Sequence, residues 1–234
     1  MPVYKIADLN IKIDPLHPDT EERLSPYLTE GDGFDFDASA TTEEFEEMKA
    51  KSEGYCTNEN IEGAVILTKI AKTVLTGYGG CFFHSSCLEL DGEAYMFTAL
   101  SGTGKSTHTL NWRRLFGDRV TMINDDKPII RKLGGRYYVC STPWMGKSDI
   151  GCNMSVPIKA VYVLRRGENN RCDEARPIEV FKELLEATLL PESRDDMGKL
   201  LDIFDELFSN VKLFLLYCTP DIESARVAYD AANK

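Results

Sequence analysis

Ser101-Gly102-Thr103-Gly104-Lys105-Ser106-Thr107 is the stretch of this chain whose residue types and spacing point most directly to chemistry. Glycines let a backbone curl until successive N–H groups converge on one anion. A helix starting at that point adds its own free N–H groups and the positive end of its dipole. Lys105 then supplies a point charge for the outer phosphates of a nucleotide, Ser106 a hydroxyl for a magnesium ion, and Thr107 a further first-turn amide. The usual motif opens with a glycine where this chain has Ala99, but Gly102-Thr103-Gly104-Lys105-Ser106 is intact. The other reading is a glycine-rich strand-to-helix turn that holds nothing. A turn alone does not ask for Lys-Ser directly after the second glycine.

A phosphate loop needs carboxylates within reach. Asp125-Asp126 ends an apolar stretch about 20 residues after Lys105, where phosphoryl-transfer proteins place the acid that holds magnesium. Two neighbouring carboxylates can divide the work, and the expected division gives the metal to Asp126, with Ser106, and the hydroxyl proton to Asp125. His84 precedes a hairpin. With Asp91-Gly92 as its two-residue turn, opposed residues have numbers summing to about 183, which sets His84 beside Ala99. Its role there is either structural or catalytic. Trp144-Met145-Gly146-Lys147 joins a flat aromatic to a cation. Lys147 can meet a phosphate or an anionic substrate, and Trp144 can wall an adenine or substrate; a surface loop is the alternative. Arg165 and Arg166 close a strand, either as stabilisers of transferred charge or as a solvated turn.

These residues must be positioned, and the patterning predicts how. An apolar run over 94–97 reads as the strand entering the loop, and 107–116 as the helix leaving it. Alternation predicts strands within 4–14 and an edge strand over 34–37. Acidic residues over 19–26 predict a short helix. Thr41-x-x-Glu44 is a capping box opening another, and 58–76 carries the apolar stripe of a longer helix ending at Gly77, Gly79 and Gly80. Strands are expected over 81–90, 93–100, 119–124, 129–133, 136–140, 158–164 and 211–217. Helices are expected over 178–189 and 197–208, and a terminal helix capped by Thr219-Pro220-Asp221 with proline in its first position. The glycines near 77–80 suggest a small N-terminal α/β region, 1–78, packed on a nucleotide-binding core, 79–234. The expected fold class is α/β, with a mixed central sheet carrying the phosphate loop and helices around it.

Composition narrows the partners. The chain has 234 residues, 43% apolar and 28% charged, as in ordinary globular proteins. A net charge of −11 argues against nucleic acid and against an anionic membrane. No apolar run approaches the roughly 18 residues of a spanning helix, and Met1 to Ile6 opens no signal region. The seven cysteines are odd in number, scattered and never spaced Cys-x-x-Cys. They read as reduced thiols of a cytoplasmic protein, mostly in the core.

Taken together, Phe83-His84-Ser85, the hairpin, Ser101 to Ser106 and Asn124-Asp125-Asp126 resemble the catalytic domain of HPr kinase/phosphorylase and the wider phosphoenolpyruvate carboxykinase-like group. The resemblance covers about residues 81–130 of this chain. It implies ATP phosphates on the loop, metal and catalytic work for Asp125 and Asp126, and His84 beside the transferred phosphoryl group. The family's Glu-x-Arg-Gly-Leu-Gly signature has no counterpart here, so the ATP site is implied and the family's protein substrate is not. The expected activity is ATP- and Mg²⁺-dependent phosphoryl transfer to a hydroxyl, on a small molecule such as serine or on a peptide or protein side chain. A nucleotide-binding regulatory or accessory protein is the alternative from another class. Self-association stays open.

Overall fold

The computed structural model describes residues 2–234 except Asp32, Glu53 and Ser101. In chain order the elements are β1 (Val3–Ile6), β2 (Leu9–Lys12), α1 (Pro18–Leu24), β3 (Leu28–Thr29), β4 (Phe36–Asp37), α2 (Thr42–Lys51) and α3 (Asn58–Gly77). They continue with β5 (Gly80–Phe82), β6 (Ser86–Leu90), β7 (Glu93–Thr98), α4 (Lys105–Phe116), β8 (Val120–Asn124), β9 (Ile129–Leu133) and β10 (Arg136–Cys140). The last are β11 (Ser155–Arg166), β12 (Arg171–Glu174), α5 (Phe181–Glu186), α6 (Arg194–Asn210), β13 (Lys212–Cys218) and α7 (Glu223–Ala232).

The first four strands make a small sheet in the order β3-β1-β2-β4. The other nine form a mixed sheet built around β11, which serves two halves. Its first residues pair antiparallel with β10, and its remainder runs parallel to β7 on one side and β13 on the other. The bulge between Ile158 and Ala160 falls where β11 passes between the halves, which is where extra twist is needed. Asp91 and Gly92 take φ of +55° and +82°, the paired left-handed residues of a type I′ turn, and fix the β6–β7 register of Ser86 opposite Phe97.

The α3 stripe (Val65, Ile66, Ile70, Val74) buries against the small sheet and against Phe82, Ile129 and Cys140 of the large one. Residues of 1–78 and 79–234 therefore share one apolar cluster. On the opposite face α5 and α6 cover Phe83, Ile123 and Val161. Helix α4 lies beside α7, with Trp112 fully buried among Tyr95, Phe97 and Phe116.

Several expectations need correction. The 81–90 strand is two strands, because the backbone at 83–85 leaves one half of the sheet for the other: Phe83 N–H donates to Pro128 O (3.2 Å) and Ser85 N–H to Asp126 O (3.2 Å). The helix over 178–189 shrinks to α5. Pro177 begins a separate short turn, and the carbonyl of Ala187 accepts from His84 N–H at 2.6 Å. β11 is longer than 158–164, and β12, polar in sequence, was not expected at all. The last helix starts at Glu223, so Pro220 precedes it, and the Asp221 carboxylate caps it by accepting from Ser224 N–H at 3.2 Å. Only Cys81, Cys87 and Cys140 are buried; Cys152, Cys172 and Cys218 are half-buried and Cys56 is exposed. Among the described residues, no helix is long and apolar enough to cross a membrane.

Buried polar groups join α4 to α7 and carry a pH dependence. His108 is 3% exposed. Its Nε2 accepts the Trp112 indole N–H at 3.0 Å, and its Nδ1 lies 3.3 Å from Ser224 Oγ. Burial pushes the imidazole down to about 3. Below the ordinary histidine value near 6.5, the unfolded chain takes up a proton that the folded chain refuses. Stability is therefore expected to fall as the pH drops from 6.5, by up to about 1.4 kcal/mol per unit from this group. Urea unfolding between pH 6.5 and 5, above the main carboxylate range, should show a shallower slope for His108→Gln. Equal slopes would mean that the imidazole is charged in the fold.

Candidate functional site

Three strands deliver the expected residues to one edge. β7 and β8 both run antiparallel to β6, and β7 runs parallel to β11, so β7, β8 and β11 end on the same side. The glycine loop follows β7, Asp125-Asp126 follows β8, and Arg166 ends β11. The crevice beyond the carboxyl ends of such strands is where open α/β sheets place ligands.

Gly102 and Gly104 sit at φ +75° and +122°, conformations that a side chain strains, and Gly104 is the residue before the first turn of α4. Thr103 N–H donates to Leu100 O at 3.1 Å, and Arg166 Nη2 donates to Gly102 O at 2.7 Å, bracing the loop from the end of β11. Helix α4 has no side-chain cap and no acidic residue in its first turn. Among the described residues its first bonded amide is His108 N–H, to Gly104 O at 2.9 Å. The amides of Lys105, Ser106 and Thr107 thus remain available to an anion. Ser101 lies outside the described residues. Lys105 is half-buried with its ammonium 3.4 Å from Ala99 O. Burial draws it below the ordinary lysine value, against the opposing pull of Asp126 and Asp125.

The two carboxylates separate because of Asn124, which is fully buried. Its Oδ1 accepts from the amides of Asp126 (2.9 Å) and Lys127 (2.8 Å), turning the chain directly after β8, while its Nδ2 donates to Thr142 O at 3.0 Å. Asp125 is left facing the loop: Ser106 Oγ donates to its Oδ2 at 3.1 Å, Ser148 Oγ donates to the same atom at 2.6 Å, and Ser86 Oγ bonds Oδ1. Asp126 also lines the cleft, with Lys127 on Oδ2 and His84 Nδ1 3.3 Å from Oδ1. The structure thus brings Ser106 to Asp125, the reverse of the expected pairing. The physical reason is the Asn124 turn, which rotates the second carboxylate toward His84.

His84 was expected opposite Ala99 on a strand; it lies between strands, outside the β6–β7 ladder, and its carbonyl accepts from the hydroxyl of the neighbouring Thr98 at 3.0 Å. Burial lowers the imidazole below its ordinary value and Lys105 and Lys127 add to that, outweighing Asp126. His84 is therefore neutral at pH 7 despite its carboxylate neighbour.

Loop and carboxylates open on a cleft of about 970 Å³. Lys147 and Trp144 line it as expected, but Trp144 is 8% exposed. The Nε1 edge of its indole packs against Gly63 of α3, where an added Cβ would stand 2.3 Å from Nε1. Arg165 is committed to an ion pair with Glu183. The lining also includes residues that carried no functional signal in the sequence: Arg23 of α1 and Thr57, Glu59 and Asn60 at the start of α3. Arg23 bonds Glu59, Asp149 (2.8 Å) and Pro143 O (3.3 Å), tying the N-terminal helices to the 142–149 loop. In a chain of net charge −11, the lining among the described residues holds Arg23, Lys105, Lys127 and Lys147 beside Glu59, Asp125 and Asp126.

Among the described residues, no group of three or more His, Cys, Asp or Glu side chains is placed to hold a metal. Ser106 Oγ and the Asp125 carboxylate make a two-oxygen set. That suits Mg²⁺, which takes one or two carboxylates and completes its shell with water and substrate phosphate.

No protein-family model matches this chain, and no curated protein does. Among solved structures it is similar to the Hpr(Ser) kinase/phosphatase from Coxiella burnetii, at 12% identity, covering 64% of this chain and 95% of that one, with a TM-score of 0.36. At that score the likeness carries no weight for the site, whose chemistry is read from its own residues.

Proposed function

We propose that this protein is a kinase that transfers the γ-phosphoryl group of ATP, with Mg²⁺, to a hydroxyl acceptor. One observation carries this reading: the glycine loop, the Ser106–Asp125 pair and the Asp126–His84 pair converge on one cleft rich in cations. In this proposal residues 79–234 form an HPr kinase-like nucleotide-binding core, and 1–78 is a smaller region packed against it. Bound ATP supplies the phosphoryl group, and Mg²⁺ neutralises charge on its phosphates.

The chain's own residues do the rest. The amides of Lys105, Ser106 and Thr107 and the Lys105 ammonium bind and orient the phosphates, on a loop that Ser101, Gly102, Thr103 and Gly104 form. Ser106 and Asp125 hold the cation. Asp126 takes the acceptor's proton, its carboxylate aimed by Lys127 and by the neutral His84 ring. The acceptor oxygen gains the bond to phosphorus, the bond from phosphorus to the bridging oxygen of ADP breaks, and the proton leaves through Asp126. Lys147 faces the acceptor.

ADP formation measured with ATP and Mg²⁺ across hydroxyl metabolites and serine peptides tests this. At least one acceptor is expected to raise the rate at least tenfold over the acceptor-free rate. ATP binding with no stimulation by any acceptor would favour the regulatory or accessory reading. Absence of ATP binding would remove both.

A further inference from the structure

We infer that the acceptor is a small hydroxy acid, held by its carboxylate between Lys147 and Arg23. This rests on the phosphoryl-transfer reading and adds the acceptor's class to it.

The four cations of the cleft are not equivalent. Lys105 belongs to the phosphate loop, and Lys127 is paired with Asp126. Lys147 is exposed and, among the described residues, has neither an ion pair nor a hydrogen bond. Arg23 uses Nε on Glu59 and Nη1 on Asp149 and Pro143 O, while its Nη2 has no partner among the described residues. Its guanidinium is thereby fixed in place at the cleft with one donor arm unspent, an arrangement that binds a carboxylate with little further ordering.

Position adds to charge. Lys147 lies in the short segment whose Ser148 bonds Asp125 and whose Gly146 abuts Asp126, where an added Cβ would stand 2.8 Å from Asp126 Cβ. The ammonium is therefore borne by the same few residues that flank the proton acceptor. A molecule with a hydroxyl and a carboxylate a few bonds apart can place the first at Asp126 and the second at Lys147. A neutral polyol, or a serine inside a peptide, brings no charge to meet these cations. Residues of the phosphate loop, the 142–149 loop and the N-terminal helices all line this one cleft, so a hydroxyl and a carboxylate of one small molecule can meet groups from each. In the reaction the hydroxyl oxygen bonds the γ-phosphorus of ATP, the bond to the bridging oxygen breaks, ADP leaves and the proton passes to Asp126.

The test compares ADP release with L-serine and D-glycerate against L-serinamide, glycerol and N-acetyl-L-serinamide, with ATP affinity measured by calorimetry. At least one acid is expected to exceed its counterpart lacking the carboxylate by tenfold or more in kcat/KM. Lys147→Ala should raise KM for that acid by about 10- to 100-fold, the worth of one charge-assisted hydrogen bond. ATP affinity and the melting temperature should stay near wild type, and Lys147→Arg should recover part of the loss. Equal use of acid and amide, preference for the capped serine, or bound ATP with no probe turned over would each overturn the hydroxy-acid assignment while leaving the nucleotide site standing. Failure to bind ATP would overturn the kinase reading as well.

Discussion

Lys105→Ala is expected to lower ATP affinity by roughly 100-fold or more, to the edge of calorimetric detection, and to leave the fold intact. The size follows from losing charge-assisted bonds of about 1.5–3 kcal/mol each to the outer phosphates. The intact fold follows from what Lys105 does without nucleotide: among the described residues its ammonium has one hydrogen bond, a long one of 3.4 Å to Ala99 O. Burial already pulls the group below the ordinary lysine value, so removing it relieves a desolvated charge. A melting temperature within a few degrees of wild type, beside a binding isotherm with no measurable heat, is the expected pair of results. Unchanged affinity would end the phosphate-loop reading.

Asp126→Asn is expected to cut turnover by about 10²–10⁴-fold with little change in ATP affinity, as loss of a positioned base does. Asp125→Asn should instead weaken Mg²⁺-dependent nucleotide binding, because that carboxylate is the one bonded to Ser106. Single-turnover rates at saturating ATP, and ATP titrations with and without Mg²⁺, separate the two. The opposite result, with Asp125→Asn impairing chemistry alone, would restore the division expected from the sequence. Wild-type turnover in either variant would reduce the pair to a turn.

That reversal marks how far the sequence could be read. Short-range rules were legible: the Asp91-Gly92 and Gly134-Gly135 turns, the Thr41–Glu44 capping box, and the passage from β7 through the glycines into α4 each depend on a few adjacent residues. The Asp91-Gly92 turn also fixed the β6–β7 register of Ser86 opposite Phe97, though His84 itself falls outside that ladder. What escaped depends on partners far along the chain. Two adjacent carboxylates were expected to differ, but which of them meets Ser106 is decided by the Asn124 side chain, anchored on Thr142, which turns the backbone between them. Phe83 reads as mid-strand, yet its amide is taken by Pro128. β12 carries no apolar alternation and exists because β13 offers it an edge. Arg23, a lone cation in an acidic segment, gave no sign of reaching Asp149.

The double membership of β11 also bears on how the chain is made. β7, which leads into the phosphate loop, finds its second neighbour only when Phe97 meets Tyr162 and Met96 meets Val161. Synthesis proceeds at about 5–20 residues per second, so the β6–β7 hairpin emerges several seconds or more before β11. During that interval a strand of Ala94, Tyr95, Met96 and Phe97 presents one open edge, the kind of surface that recruits other chains. A ribosome stalled between the loop and β11 would therefore release a product carrying the whole Gly-Lys-Ser signature on an unprotected sheet edge, prone to aggregation and dependent on chaperones.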